Sequence, residues 1–449
     1  MALVTVALVA IIALAALSID IGTLYQAKAE AQRAADAAAL TAARMISISG
    51  ITGDPTNASS SWQTVCGGTS SPATLAAIKV AQQNLISGVA ATSADVIVKY
   101  GGGSAGATAT NCSGAGSAFG VNPVVTVTVT SGKLPIFFAR VFKLFPNGNF
   151  SNTTAVATAT AEVFNSSNSA SVAGSMIPVQ PRCVKPLIIP NKDPTNSGNP
   201  FVSTATGAIF SPGISPGGVI GETFTLTADC RHGQSNCEGA NLISNPPQAT
   251  NPPPTLEYLP ALVQGTPTAV PSCATDDTFQ EAIAGCDQTT AYTCGVPAGS
   301  GTTQVDLTEN PVNPHSSSGD TGTAVQCLTH ATAEGVGNGQ DQLDTGSFPF
   351  QIKAGSDNPL VQDGLVSTNG IVTTSSSIAT LPIYDGSALG AGNQPNVTIV
   401  GFLQVFIQYL NGNGHPVVYV MNVSGCSNDA TNSPVLGTSP VPIRLITPP

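Results

Sequence analysis

Charge is scarce in this 449-residue chain, with Asp, Glu, Lys and Arg together making up 9% of it, against roughly a quarter in average soluble proteins. Basic residues are fewer still: 14 Lys and Arg against 25 Asp and Glu give a formal net charge of −11. Nucleic acid is bound through clustered Lys and Arg, so this balance excludes it as a partner. No nucleophile elbow, P-loop, dinucleotide-binding fingerprint or H-E-x-x-H helix is recognisable. Four histidines, His232, His315, His330 and His415, are scattered in polar loops away from any partnered nucleophile. The expectation is a protein that is not an enzyme and carries no cofactor or metal.

Charge is most completely missing at the start. From Ala2 to Ile19 no side chain ionises, and only Thr5 and Ser18 interrupt Ala, Val, Leu and Ile. As a helix at 1.5 Å per residue this run reaches about 27 Å, close to the hydrocarbon thickness of a bilayer. No Lys or Arg precedes it, the first being Lys28, whereas a secretion signal opens on a basic region. Two explanations stand side by side: a basic leader removed before Met1, or a start that is simply short.

The run continues without proline as an alanine-rich, sparsely charged helix to about Ile46, where SISGITGDP supplies breakers. Glu30 with Arg33 and Arg33 with Asp36 have i,i+3 spacing for ion pairs. The alanines allow close approach of a neighbouring helix. Asp20, at the end of the apolar run, is expected at a membrane–water interface; the alternative buries it in a helical bundle, paired with a neighbour's amine or with Lys28. The candidate membrane or filament-core residues are Leu3, Val4, Leu8, Ile11, Ile12, Leu14, Leu17, Ile19, Asp20, Leu24 and Tyr25.

The rest is polar without being charged, rich in Ser, Thr, Asn, Gly (46) and Pro (34), and it holds all 10 cysteines. Cys66, Cys112, Cys183, Cys230, Cys237, Cys273, Cys286, Cys294, Cys327 and Cys426 are even in number and fit disulfides in an oxidising compartment. Cys230 with Cys237 and Cys286 with Cys294 have the spacing of short closed loops, although sequence does not fix pairing. Zinc ligation at CRHGQSNC lacks paired C-x-x-C spacing.

A second helix is expected over PATLAAIKVAQQNLI, with Leu75, Ile78, Leu85 and Val89 on one face. DVIVKY (95–100), VVTVTVT (124–130) and TTAVATATAEV (153–163) carry strand patterns, and LPIFFARVFKLF (134–145) is an apolar helix candidate. Six of the ten cysteines fall between 229 and 345, a stretch with few apolar runs, expected to be stapled rather than packed around a large core. DTFQEAIAG (277–285) is a short helix candidate. Clear strand pattern returns in GIVTTSSSIATLPIY, NVTIVGFLQVFIQYL and HPVVYVMNV, with NGNGHP (411–416) as a hairpin connection. Asp276–Asp277 with Glu281, and Asp341–Asp344, lack calcium-loop spacing and are expected to be turn residues. N-x-S/T sites occur at Asn57, Asn111, Asn152, Asn165, Asn396 and Asn422. The fold class is α+β: an N-terminal helix (1–46), a small α+β module (47–165), then a Pro/Gly/Cys-rich, disulfide-rich, mainly β region (166–449) with a further division near 345.

The segment SIDIGTLYQAKAEAQRAADAAALTAA resembles the N-terminal signature of TadG-like and TadE-like proteins of tight-adherence (Flp-type) pili, through Ile19-Asp20-Ile21-Gly22, Tyr25, Gln32 and Ala34 to Ala39. VVTVTVT, PIFFARVF and TTAVATATAEV are similar to that family's continuation, so the resemblance spans about residues 1–165. It implies a bacterial protein with its bulk outside the cytoplasm and a role in pilus assembly or adhesion. The D-x-S-x-S metal motif of relatives with a von Willebrand A domain is missing, so no metal-dependent adhesion site is carried over. Two roles follow. The first is a structural subunit of an extracellular pilus-like filament or pilus-associated surface protein, its helices packing with copies of themselves, and a membrane contact before assembly. The second is an inner-membrane-anchored periplasmic protein of the pilus assembly machinery. A hydrolase or binding module in the C-terminal region is a weaker third.

Overall fold

The computed structural model describes residues 2–47, 65–102, 106–115, 119, 123–131, 134, 154–163, 179–205, 207–211, 213–228, 254–268, 270, 273, 277–293, 303–309, 320–346, 350–372, 374–386, 389, 392–426, 435–437, 439 and 441–446. Of the expected helix 134–145, residues 135–145 lie outside these, as do Asp276, Cys230, Cys237, Cys294, His232 and His315.

Helix α1 spans Ala2–Ser47 as one continuous element of 46 residues. Its second half is the spine of an α+β module. Ala27, Ala31, Ala34, Ala35, Ala38, Ala39, Ala42 and Ala43 are all fully buried, at the i, i+3, i+4, i+7 spacing that lines one helical face. They lie against α2 (Pro72–Gln83) and a sheet of β1 (Val96–Gly102), β2 (Ala107–Ala109), β3 (Pro123–Thr130) and β4 (Val156–Val163). The facing strands present Val125, Val127 and Val129 from β3, and Ala157, Ala159, Ala161 and Val163 from β4. Small residues on both sides bring the helix close to the sheet, and alternation puts Thr126, Thr128, Thr158 and Thr160 on the other face. There the hydroxyls pair across the strands, Thr126 with Thr160 at 2.9 Å and Thr128 with Thr158 at 3.0 Å.

The apolar face expected for α2 is corrected. Leu75 and Leu85 are exposed, as is Val89 beyond the helix, and Ile78 is only partly buried. The inward face is Ala73, Thr74, Ala77 and Ala81, because an alanine-faced α1 leaves room for small partners only. Thr74 also hydrogen-bonds buried Tyr100 at 2.7 Å.

The module's sheet has a fifth strand from the far end of the chain. β18 (Ile443–Ile446) pairs antiparallel with β4, Ile443 opposite Val163 and Ile446 opposite Thr160, giving the order β18-β4-β3-β1-β2. Everything from 164 to 442 is therefore inserted between two neighbouring strands of one sheet.

That insertion contains a closed barrel of β6 (Leu187–Pro190), β7 (Thr223–Ala228), β8 (Thr255–Pro260), β13 (Ile378–Tyr384), β15 (Ile399–Leu410) and β16 (Pro416–Gly425), ordered β13-β15-β16-β7-β8-β6. β15 and β16 form the expected hairpin, turned by Asn411–His415 with Gly414 at φ 73°. Between β8 and β13 the chain adds α3 (Thr278–Ala284), β9 (Thr303–Gln304), α4 (Asp320–Leu328), a small sheet of β10 (Gln342–Asp344), β11 (Gln351–Lys353) and β12 (Ile371–Val372), and α5 (Pro359–Gln362). β14 (Asn396–Val397) pairs with β9.

The expectation that 229–345 is stapled rather than packed is half corrected. Phe279 and Ile283 of α3 and Val325 and Leu328 of α4 belong to the main barrel core, and two disulfides secure them, Cys273–Cys327 and Cys183–Cys286. Cys286 thus bonds a cysteine 103 positions away, not the nearby Cys294, because the end of α3 packs beside the approach to β6. Cys66 bonds Cys112 in the module, and Cys426 is disulfide-bonded as well.

Two short strands tie the connections together. β5 (Val179–Pro181), just ahead of the barrel's first strand, pairs in parallel with β17 (Val435–Gly437), which follows its last strand.

Candidate functional site

The first half of α1 is the feature with a functional claim. Leu3 (84% exposed), Val4, Leu8, Ile11, Ile12, Leu14, Ile19, Ile21 and Tyr25 (74%) all face outward. Leu17 is half-buried, and Leu24 already packs on the module core. One residue past Gln26 the inward face of the helix is sealed, Ala27 being 0% exposed. The arm from Ala2 to Gln26 is about 37 Å long at 1.5 Å per residue. A contiguous apolar surface of this size marks an interaction surface.

Among the described residues no helix is long and apolar enough to cross a membrane. The charge-free run passes into a charged, alanine-rich continuation within the same helix.

Polar contacts fix where the arm ends. Lys28 donates from its ammonium to the Val156 carbonyl, and the Gln32 amide reaches the Thr158 carbonyl at 3.3 Å. Glu30 accepts from the Ser87 amide at 2.6 Å and the Gln26 side chain at 3.0 Å. The Ser87 bond, then that of Gln26, hold the Glu30 carboxyl below its ordinary range, with a Coulombic contribution from Arg33. Asp36 accepts from Gln32 at 2.8 Å. Asp20 is 3% exposed and engaged within its own chain, so the interface position expected for it is corrected to a buried one.

The same contacts orient the module. Residue 28 meets 156 and residue 32 meets 158, so β4 runs in the sense of α1, away from the arm. The insertion leaves after Val163 and returns at Ile443 at that far end, and Asn422 of β16 donates to the carbonyl of Ser47, the last residue of α1, at 2.6 Å. Arm and barrel therefore occupy opposite poles of the module.

The other sequence candidates have structural roles. Asp277 caps α3 by accepting from the Gln280 amide at 2.8 Å. Asp341 is buried, accepting from the Gly355 amide at 2.9 Å, from the Asn358 amide through both oxygens and from the Ser375 hydroxyl. Asp344 pairs with Lys353 at 2.7 Å. His330 ends α4 with φ 59°, and His415 is buried in the β15–β16 turn. Asn422 is buried, so its N-x-S/T site has no room for a glycan, whereas Asn396 is exposed.

Sequence reasoning passed over several groups. Asp277, Glu309 and Asp320 bring carboxylate oxygens within 4.8 Å of one another, with the Gln280 amide donating to Asp320 at 2.7 Å. Lys185 is buried with its ammonium on the Gly285 carbonyl at 2.6 Å, and desolvation pulls its pKa down to about 7. Burial, opposed by a bond from Thr195 and reinforced by Asp193, pushes Glu222 up to about 7. None of these lies in a pattern of neighbouring sequence positions, which is why spacing gave no signal.

No curated protein and no solved structure matches the chain. A family model does match, over residues 1–45, almost the whole of α1 and short of the region to 165 over which the resemblance was read. That first helix is the segment described as Putative Flp pilus-assembly TadE/G-like.

Proposed function

We propose that this chain is a structural subunit of an extracellular pilus-like filament, or a pilus-associated surface protein, whose arm packs among the arms of sister copies. The observation that supports this most is the contrast along α1: exposed Leu, Ile and Val over one half, fully buried alanines over the other. An arm with large apolar residues exposed along its length is stable only where other apolar groups cover them. A protruding helix gives the head-to-tail contacts that an open filament needs. The match of residues 1–45 supports involvement in Flp-type pilus assembly and an envelope or surface location. The opposite pole carries the disulfide-bonded barrel, which such packing leaves facing outward. The role is structural and not enzymatic.

Filaments sheared from cells and analysed by mass spectrometry test this. Recovery of the chain as a stoichiometric filament component is expected. Its absence from filaments, with all of it in the inner membrane, would contradict the reading and favour an anchored assembly protein.

A further inference from the structure

We infer that β18 is a latch that makes completion of the arm-bearing module conditional on folding of the barrel. The inference stands whether the arm meets sister helices or another apolar medium.

β18 supplies more than an edge. Val441 is buried in the module core with Ile443 packed against it, and α1 packs against β18 as well as β4. Glu162 of β4 is 0% exposed, and its carboxylate receives the Arg444 guanidinium at 3.0 Å. These two residues are direct cross-strand partners. Removing one member of a buried ion pair takes its compensation from the charge left in the interior, which is destabilising.

The latch cannot close early. With the barrel unfolded, residues 164–442 form one long loop between β4 and β18, and its closure entropy opposes the docking of a four-residue strand. A folded barrel removes most of that loop, because its first strand β6 and last strand β16 lie in the same closed structure. The β5–β17 pair then holds the outgoing and returning chain side by side, and Asn422 rests on the end of α1. By linkage, whatever loosens the barrel loosens β18, and undocking β18 weakens the barrel's seat.

Hydrogen exchange on the full-length chain tests this, read separately at β4, β18 and the β15–β16 hairpin. Asn358→Ala removes a donor to Asp341 deep in the insertion and touches nothing in the module. It is expected to speed exchange at β4 and β18 together with the hairpin, by similar factors. Unchanged β4 and β18 protection beside a loosened hairpin would overturn the latch. Arg444→Met is expected to speed exchange at β4 on the order of 100-fold. Adding Glu162→Gln to Arg444→Met should restore most of the protection. If Arg444→Met leaves β4 protected, or if adding Glu162→Gln restores none of the protection, the ion pair is not what holds the strand.

Discussion

The two halves of α1 share one continuous helix, yet their surfaces are opposites. From Ala27 the inward face is alanine, sealed against β3, β4 and α2. Before Gln26 large Leu, Ile and Val side chains stand exposed, while Asp20 is buried and Leu17 and Leu24 are partly so. Side-chain size marks the division. Alanine suits a partner that is already present and close, since it lets the helix lie down on a sheet of Val and Ala. Branched residues suit a partner still to come, because they carry most of the apolar area that assembly can bury, at roughly 25 cal/mol per Å².

The sharpest way to break this comparison is to exchange the character of the halves. Ile11→Asp with Ile12→Asp, both on the exposed arm, should abolish incorporation into filaments while thermal unfolding of the purified chain stays unchanged. A large fall in melting temperature would mean that the arm is already packed. Cys66→Ser with Cys112→Ser removes a cross-link that braces the docked half across 46 positions. It should cost about 2–4 kcal/mol of module stability by denaturant titration. Ala38→Leu should cost about 1–3 kcal/mol, because the buried face has no room for the added methylenes, whereas Leu8→Ala on the arm should leave unfolding within about 0.5 kcal/mol of the parent.

The smallest effect lies at the boundary. The Glu30 carboxyl is held below its ordinary value chiefly by the Ser87 amide. Its folded pKa lies under its unfolded one, so the contribution is present above the ordinary value of 4.5 and fades as pH falls through the folded value. Protection of the Ser87 amide, taken relative to its intrinsic exchange rate, should fall on acidification in the parent, and Glu30→Gln should remove that dependence.

Much of this was legible in the sequence because it is local. The charge-free run, the period-two alternation of β3 and β4, and the turn ahead of His415 each declare themselves within a dozen residues. What escaped was set by distant partners. β18 is four residues, IRLI, with no pattern of its own, and only Glu162 gives Arg444 a meaning. The inward face of α2 followed from the size of residues on α1, not from the hydrophobicity of its own leucines. Cys286 found Cys183 because the barrel brings them together. α4 hides among Thr and Gly, although Thr321, Ala324, Val325 and Leu328 do keep helical spacing.

The measurement that bears most directly on the two halves of α1 is electron cryomicroscopy of the filaments that contain this chain. The prediction is a core in which Leu3, Leu8, Ile11 and Ile12 touch equivalent helices of neighbouring copies, with Ala27 to Ser47 still seated on its own sheet and the barrel outermost. A filament core built without residues 2–26, or with the alanine face lifted from its sheet, would contradict it.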